Sequence, residues 1–207
     1  MKTKYARSVL FAVLLLSSAL LTACGSTEKQ SDSSETGEAA SAQTDQTAES
    51  SAKEDVISYL PLEEGDAAPD FTATLTDGTE FVLSEQQGKV VLLNFWATWC
   101  GPCVREMPAF EQLYGEYGED VAILAVNCME SEDIVKAFRE ENGYTFPIAC
   151  DEEGDIVMKY PSQGIPYTLV IDGEGMIQKI YVGAADAETQ YQEYKGAIDA
   201  IAEAKQQ

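Results

Sequence analysis

The chain has 207 residues and carries 36 acidic against 13 basic side chains, which gives a formal net charge of −23. So acidic a protein repels the phosphates of nucleic acid, and we expect no nucleic-acid partner. The chain contains no histidine, which excludes catalysis by Ser-His-Asp and Cys-His arrangements.

The N-terminus carries the pattern of an export signal. Three basic residues within the first seven precede an apolar run, 9–21, that is short for a membrane span. The small residues before Cys24 resemble a bacterial lipobox, and this resemblance implies that 1–23 is a lipoprotein signal peptide and that Cys24 carries a lipid. A plain signal peptide and an uncleaved anchor are the alternatives. We therefore expect the protein at the cell membrane of a bacterium, lipid-anchored on the extracytoplasmic face.

Residues 24–58 are predicted to be the lipidated cysteine followed by an acidic tether. Between 26 and 55 the chain consists mainly of Ser, Thr, Ala, Gln and Glu and contains no aromatic residue. Such a segment buries too little apolar surface to offset its conformational entropy, so we expect it to be disordered. Residues 59–207 remain, a length that suits one domain with a single core.

The first elements of this domain are a hairpin and a buried strand. Segments 70–75 and 80–83 alternate apolar and polar residues around a turn at 76–79, which predicts a β-hairpin. Residues 90–96 are almost all apolar and predict a central strand that is covered on both faces. A helix is predicted next, over 101–117, from the spacing of its apolar side chains.

Two cysteines lie where this strand gives way to the helix, in the segment Trp99-Cys100-Gly101-Pro102-Cys103. Pro102 suits the first turn of a helix, so Cys100 is predicted at the helix N-terminus, where free N–H groups and the helix dipole stabilise a thiolate. Cys100 is then the exposed nucleophile, and Cys103, one turn further along, is the thiol that resolves a mixed disulfide. A zinc site and a static disulfide are the alternatives, and a zinc site would lack histidine ligands.

The rest of the domain alternates strands and helices. The predicted elements are a strand at 121–127, a helix capped at Ser131, a short apolar run at 146–150, a brief helix near 154–160, a hairpin of 168–172 and 176–182, and a last helix at 186–204. This order predicts the α/β class, with a mixed central sheet and helices on both faces.

Two further cysteines, Cys128 and Cys150, each end a short apolar run. If these runs are neighbouring parallel strands, the two thiols lie at the same end of adjacent strands. An oxidising compartment makes a structural disulfide between them one hypothesis. The alternative is a pair of buried, unreactive cysteines that act as small apolar residues.

Three separated motifs together resemble the thioredoxin superfamily, in its TlpA/ResA-like branch of membrane-tethered proteins related to AhpC/TSA. They are APDF at 68–71, FWATWCGPC at 95–103 and GIPYT at 164–168, and the resemblance extends over roughly 60–205. It implies a thioredoxin-like fold with an N-terminal β-hairpin extension. It also implies dithiol-disulfide exchange with other proteins, without a cofactor.

The resemblance implies roles for residues around the cysteine pair. Pro166 is implied to be a cis-proline that faces the disulfide, and the backbone of Ile165 to pair with a bound substrate strand. Trp99 and Pro166 are expected to shape the docking groove. Glu106, one helical turn beyond Cys103, is implied to exchange a proton with that thiol. An ordinary acidic residue at the start of a helix is the alternative interpretation of Glu106.

These observations predict an extracytoplasmic, lipid-anchored thiol-disulfide oxidoreductase. The Gly-Pro pair between the cysteines resembles that of thioredoxin and favours a reductase of protein disulfides, supplied with electrons by a membrane donor of the CcdA/DsbD type. Cytochrome c maturation is the best-known setting of the family. A thiol peroxidase of the peroxiredoxin type is an alternative, although Ala97 stands where such enzymes have threonine. A tethered, non-catalytic binding module is the other alternative.

Overall fold

The computed structural model describes residues 60–204. The predicted signal peptide 1–23, Cys24 and the predicted tether 24–58 lie outside the described residues. Among residues 60–204, no helix has both the length and the apolar character that a membrane crossing requires.

A mixed sheet forms the centre of this part of the chain. The elements are, in chain order, β1 (Thr72–Thr74), β2 (Glu80–Val82), β3 (Val90–Trp96), α1 (Gly101–Tyr117), β4 (Val121–Cys128), α2 (Glu132–Asn142), β5 (Ile148–Asp151), β6 (Tyr167–Ile171), β7 (Ile177–Val182) and α3 (Ala187–Ala204). The sheet order is β5-β4-β3-β6-β7, while β1 and β2 form a separate antiparallel hairpin. Strands β3, β4 and β5 are parallel neighbours, β6 is antiparallel to β3, and β7 is antiparallel to β6.

The central strand β3 contributes to both hydrophobic clusters. All of its residues are buried, and their side chains alternate between the two faces of the sheet. Leu92 and Trp96 pack with side chains of α1, α2 and α3. Leu93 and Phe95 pack with the β1–β2 hairpin and a 3-10 helix, Val157–Lys159. The three α-helices therefore cover one face of the sheet, and the hairpin with the 3-10 helix covers the other.

The brief helix predicted near 154–160 is reduced to the 3-10 turn Val157–Lys159. The Asp151 carboxylate, at the end of β5, accepts the backbone N–H groups of Ile156 at 3.1 Å and of Val157 at 2.7 Å. This cap starts the turn. The turn then leads the chain from the edge strand β5 back towards the start of β6.

Cys128 and Cys150 are free thiols, so the hypothesis of a structural disulfide between them is wrong. They do lie at the same end of adjacent parallel strands, but the register pairs Cys150 with Asn127 and Cys128 with Asp151. Since successive side chains of a strand point to opposite faces, the two thiols lie on opposite sides of the sheet. Burial raises the pKa of Cys128 to about 12 and the pKa of Cys150 to about 11. Both therefore have the character of unreactive cysteines.

Candidate active site

The cysteine pair lies where β3 ends and α1 begins. Cys100 is the N-cap residue of α1, and Pro102 occupies the first turn. The Sγ atoms of Cys100 and Cys103 are bonded at 2.05 Å, with their Cα atoms 5.2 Å apart. The structure therefore represents the oxidised form of the pair. Within residues 60–204, no three His, Cys, Asp or Glu side chains form a group that could hold a metal ion.

The start of α1 favours negative charge on Cys100. The backbone N–H of Cys103 donates to Cys100 Sγ over 3.3 Å, and the first N–H groups of a helix have no carbonyl partner within the helix. The positive end of the helix dipole lies at the same place. After reduction of the disulfide, these two effects stabilise a thiolate at Cys100 relative to a neutral thiol.

The two sulfur-bearing residues differ in exposure. Cys103 is fully buried, whereas Cys100 is 6 % exposed and Trp99, the residue before it, is 72 % exposed. Cys100 is less exposed than we predicted because the loop before β6 packs over it, with the carbonyl oxygen of Ile165 3.7 Å from Cys100 Sγ. A partner can still reach Cys100 before it can reach Cys103.

A cis peptide bond joins Ile165 and Pro166, as the resemblance implied. Pro166 directly precedes β6, whose first residue, Tyr167, pairs with Phe95 of β3. This pairing places the Ile165–Pro166 bond at the end of β3 that leads to Cys100. The fold therefore brings the predicted docking residues to the predicted nucleophile.

A carboxylate from the loop between β4 and α2 holds the segment before Cys100. Glu130 accepts the backbone N–H of Thr98 at 2.7 Å and the hydroxyl of Thr98 at 2.5 Å. It also accepts the side-chain amide of Asn127 at 2.8 Å. Sequence reasoning did not identify Glu130, since it lies 32 residues from Thr98 and meets it through the parallel pairing of β3 with β4.

Glu106 lies one helical turn beyond Cys103 and is fully buried. Burial raises the pKa of Glu106 to about 7, although hydrogen bonds from Tyr194 and Asn94 act in the opposite direction. A carboxyl group with such a pKa can take up and release a proton near neutral pH. A fully buried glutamate is also not the solvated acid expected of an ordinary helix start.

Three polar side chains surround Glu106. Asn94 Nδ2 donates to Glu106 Oε1 at 2.9 Å, and the Tyr194 hydroxyl donates to Glu106 Oε2 at 2.7 Å. Thr168 Oγ1 accepts from Asn94 Nδ2 at 2.9 Å and lies 3.2 Å from the Tyr194 hydroxyl oxygen. These four residues are called the Glu106 cluster below. Sequence reasoning did not identify Tyr194 or Thr168, and the one local signal of the cluster was Asn94, a polar residue in the apolar run 90–96.

Thiol-disulfide oxidoreductases of thioredoxin-like fold act through a cysteine pair at a helix N-terminus, and this protein is an enzyme of that class. Comparison with known proteins leads to the same class. The AhpC/TSA family matches residues 64–180, and the chain belongs to this family.

Curated relatives and solved structures agree with this assignment. The chain is 45 % identical over 125 residues to the thioredoxin-like protein YneN of Bacillus subtilis, a match that covers 59 % of this chain and 73 % of YneN. It is 42 % identical over 125 residues to the thiol-disulfide oxidoreductase ResA of Geobacillus thermodenitrificans, covering 60 % of this chain and 72 % of that protein. The crystal structure of the exposed lipoprotein thioredoxin of Streptococcus pneumoniae matches with a TM-score of 0.55 and 29 % identity, over 62 % of this chain and 99 % of that one. The predicted fold and the predicted enzyme class are thus confirmed.

Proposed function

We propose that the protein is a lipid-anchored reductase of protein disulfides on the extracytoplasmic face of a bacterial cell membrane. The observation that carries the redox part of the proposal is the position of Cys100 at the start of α1, bonded to Cys103 and 3.7 Å from the Ile165 carbonyl oxygen. The Gly-Pro pair between the cysteines, which resembles that of thioredoxin, supports the reducing direction.

The reaction starts from the reduced cysteine pair. The Cys100 thiolate attacks one sulfur of a substrate disulfide. A bond forms between Cys100 Sγ and that sulfur, the substrate disulfide breaks, and the leaving thiolate takes up a proton. Cys100 makes this attack because Cys103 is fully buried.

Cys103 then resolves the mixed disulfide. As its thiol loses a proton, the sulfur attacks Cys100 Sγ, and the second substrate sulfur leaves as a thiolate that is protonated. Two electrons have then passed to the substrate, and the product is the Cys100–Cys103 disulfide present in the structure. Glu106, with a pKa of about 7, is the proposed acceptor of the Cys103 proton.

Substrate docking is assigned to Trp99, Ile165 and Pro166. An extended substrate segment can pair with the backbone of Ile165 beside Cys100, in the manner of an added β-strand. The exposed indole of Trp99 offers apolar surface to side chains that flank the substrate disulfide. Because main-chain pairing and one aromatic contact do not require a particular substrate sequence, several proteins can serve as substrates.

The location rests on the N-terminal sequence. Removal of 1–23 would leave Cys24 as the lipid-bearing residue, and the tether 24–58 would let the domain reach partners near the membrane. The similarity to an exposed lipoprotein thioredoxin supports this location.

Re-reduction of the Cys100–Cys103 disulfide needs two electrons from a dithiol, which we assign to a membrane donor of the CcdA/DsbD type. The cysteines of an apocytochrome c are the proposed class of substrate.

Reduction of insulin disulfides, with dithiothreitol as the source of electrons, tests the reaction. We expect Cys100→Ser to abolish the protein-dependent rate. Cys128→Ser is the matched control, because this free thiol is not part of the pair, and we expect it to keep the rate. Equal rates for Cys100→Ser and the unmodified protein would contradict the proposal.

A thiol peroxidase is the second candidate function, favoured by the APDF motif, which also resembles the opening of peroxiredoxins. Consumption of hydrogen peroxide by the reduced protein distinguishes the two. We expect slow consumption, because Ala97 offers no hydroxyl at the position where peroxiredoxins have threonine. Consumption of peroxide faster than reduction of insulin would favour the peroxidase.

Two cell experiments test the partner and the location. Cys103→Ser should accumulate mixed disulfides on Cys100, and mass spectrometry of the trapped species would identify the substrates. The double variant with Cys100→Ser is the control.

Cys24→Ser should move the protein from the membrane fraction to the soluble extracytoplasmic fraction. Membrane association unaltered by Cys24→Ser would refute the lipid anchor.

A further inference from the structure

The Glu106 cluster joins four separate elements in the core. Glu106 comes from α1, Asn94 from β3, Thr168 from β6 and Tyr194 from α3, and all four side chains are buried. Burying polar groups destabilises a fold unless each finds a partner. The mechanism above uses Glu106 alone, so the three residues that surround it remain to be explained.

The hydrogen bonds of the cluster can be assigned by counting protons. The amide of Asn94 has two, and they go to Glu106 Oε1 and to Thr168 Oγ1. The single hydroxyl proton of Tyr194 goes to Glu106 Oε2, the nearer acceptor at 2.7 Å. Each carboxylate oxygen of Glu106 thus accepts one hydrogen bond, which suits the ionised group.

Protonation of Glu106 changes what its neighbours must do. The amide nitrogen of Asn94 can only donate, so a proton on Oε1 would have no acceptor there. The Tyr194 hydroxyl can rotate, accept a hydrogen bond from a proton held on Oε2, and donate its own proton to Thr168 Oγ1, 3.2 Å away. Tyr194 is therefore the neighbour that can pair with both protonation states of Glu106.

We infer that Tyr194 is a positioning residue of the redox site, whose hydroxyl holds the Glu106 carboxyl group beside Cys103 by a hydrogen bond that reverses when Glu106 gains a proton. The inference rests on the proposed role of Glu106. It makes the last helix of the chain part of the reaction, because α3 then controls the proton that Cys103 releases.

The surroundings of Glu106 give the direction of the effect. Asn94 of β3 and Tyr194 of α3 donate to it, Thr168 of β6 contacts these two donors, and Cys103 precedes it by one turn on α1. Burial raises the pKa of Glu106, and the Tyr194 hydrogen bond lowers it. Loss of that bond therefore favours the protonated form.

Tyr194→Phe removes the hydroxyl and keeps the ring, which packs at centroid distances of 5.5 Å from Phe110 and 5.2 Å from Tyr181. Infrared titration of the oxidised protein follows the protonated carboxyl band that is lost in Glu106→Gln. We expect Tyr194→Phe to move the midpoint of this band upward by about one pH unit. Tyr191→Phe is the matched control, since Tyr191 lies on the same helix as Tyr194 and its hydroxyl contacts Glu116 of α1 at an exposed position, and we expect no movement.

A second variant covers the case in which Tyr194→Phe does not fold. A difluorotyrosine placed at position 194 keeps the shape and donates more strongly, so the midpoint should move downward. The pH profile of insulin reduction should shift in the same directions.

The outcomes separate the two ideas. A Glu106 band that titrates near neutral pH but is not moved by either change at position 194 would overturn the inference and leave the proposed function intact. A Glu106→Gln protein that reduces insulin with an unaltered pH profile would overturn both the proposed proton transfer and the role of Tyr194.

Discussion

The Glu130 carboxylate accepts two hydrogen bonds from Thr98, one from the backbone N–H at 2.7 Å and one from the hydroxyl at 2.5 Å. Thr98 lies two residues before Cys100. These bonds therefore fasten the loop between β3 and α1 to the loop between β4 and α2. They hold the backbone that presents the sulfur of Cys100.

Removal of this carboxylate should destabilise the oxidised protein. In Glu130→Ala, the two donors of Thr98 and the amide of Asn127 lose their acceptor. Leaving partly buried donors without a partner costs about 1–3 kcal/mol. Denaturant unfolding measures this loss as a lower free energy of unfolding.

Glu132→Ala is the control for that experiment, because Glu132 lies two residues away and forms a solvent-exposed ion pair with Lys136. We expect the free energy of unfolding to be almost unchanged, because a solvent-exposed ion pair contributes little. If the two alanine variants were equally stable, the contact between Glu130 and Thr98 would make no specific contribution to the free energy of unfolding.

The buried Glu106 should make stability depend on pH. Its pKa rises from the usual 4.5 to about 7 in the folded protein, so the folded state binds the proton more tightly than the unfolded chain. The stabilisation is complete below the lower value and is lost as the pH rises through the higher one. The loss amounts to about 3 kcal/mol, since each pKa unit is worth about 1.4 kcal/mol.

Glu106→Gln isolates this effect from the other carboxyl groups. The difference in unfolding free energy between the oxidised unmodified protein and Glu106→Gln should fall between about pH 4.5 and about pH 7. A difference that stayed constant over this range would mean that Glu106 is not buried in the way the structure describes.

The elements around the cysteine pair were predictable because their signals are local. Strand β3 at 90–96 and helix α1 at 101–117 have the bounds expected from one apolar run and from the place of Pro102. A run of buried side chains and a proline in the first helical turn depend little on the rest of the chain.

The contacts that complete the site could not be predicted, because they depend on which strands are neighbours. Glu106 and Tyr194 are 88 residues apart and meet only when α1 and α3 pack on the same face of the sheet. Register matters equally: a shift of one residue decides whether Cys128 and Cys150 share a face. No local pattern of the sequence specifies the register between β4 and β5.

Trp99 should matter for protein substrates and much less for small ones. It is 72 % exposed, so Trp99→Ala should leave stability almost unchanged. If the indole contacts the substrate, kcat/KM for insulin should fall about tenfold, as for an aromatic residue central to an interface. The rate with a small aromatic disulfide should be nearly unaltered. Leu60→Ala is the control, since Leu60 is 73 % exposed and precedes β1, outside the segment Trp99–Cys103. Equal losses in both variants would contradict the docking role of Trp99.

Counting thiols tests the cysteine assignment as a whole. In a Cys24→Ser protein, which removes the predicted lipid site, Cys128 and Cys150 are free while Cys100 and Cys103 are bonded. We therefore expect alkylation of the oxidised, denatured protein to label both free cysteines, and prior reduction to add the other pair. In the native oxidised protein, labelling should be slow, because burial raises the pKa of both free thiols and so keeps them protonated. Absence of labelling in the oxidised, denatured protein would mean that the two thiols are bonded, and the strand register between β4 and β5 would then have to differ by one residue.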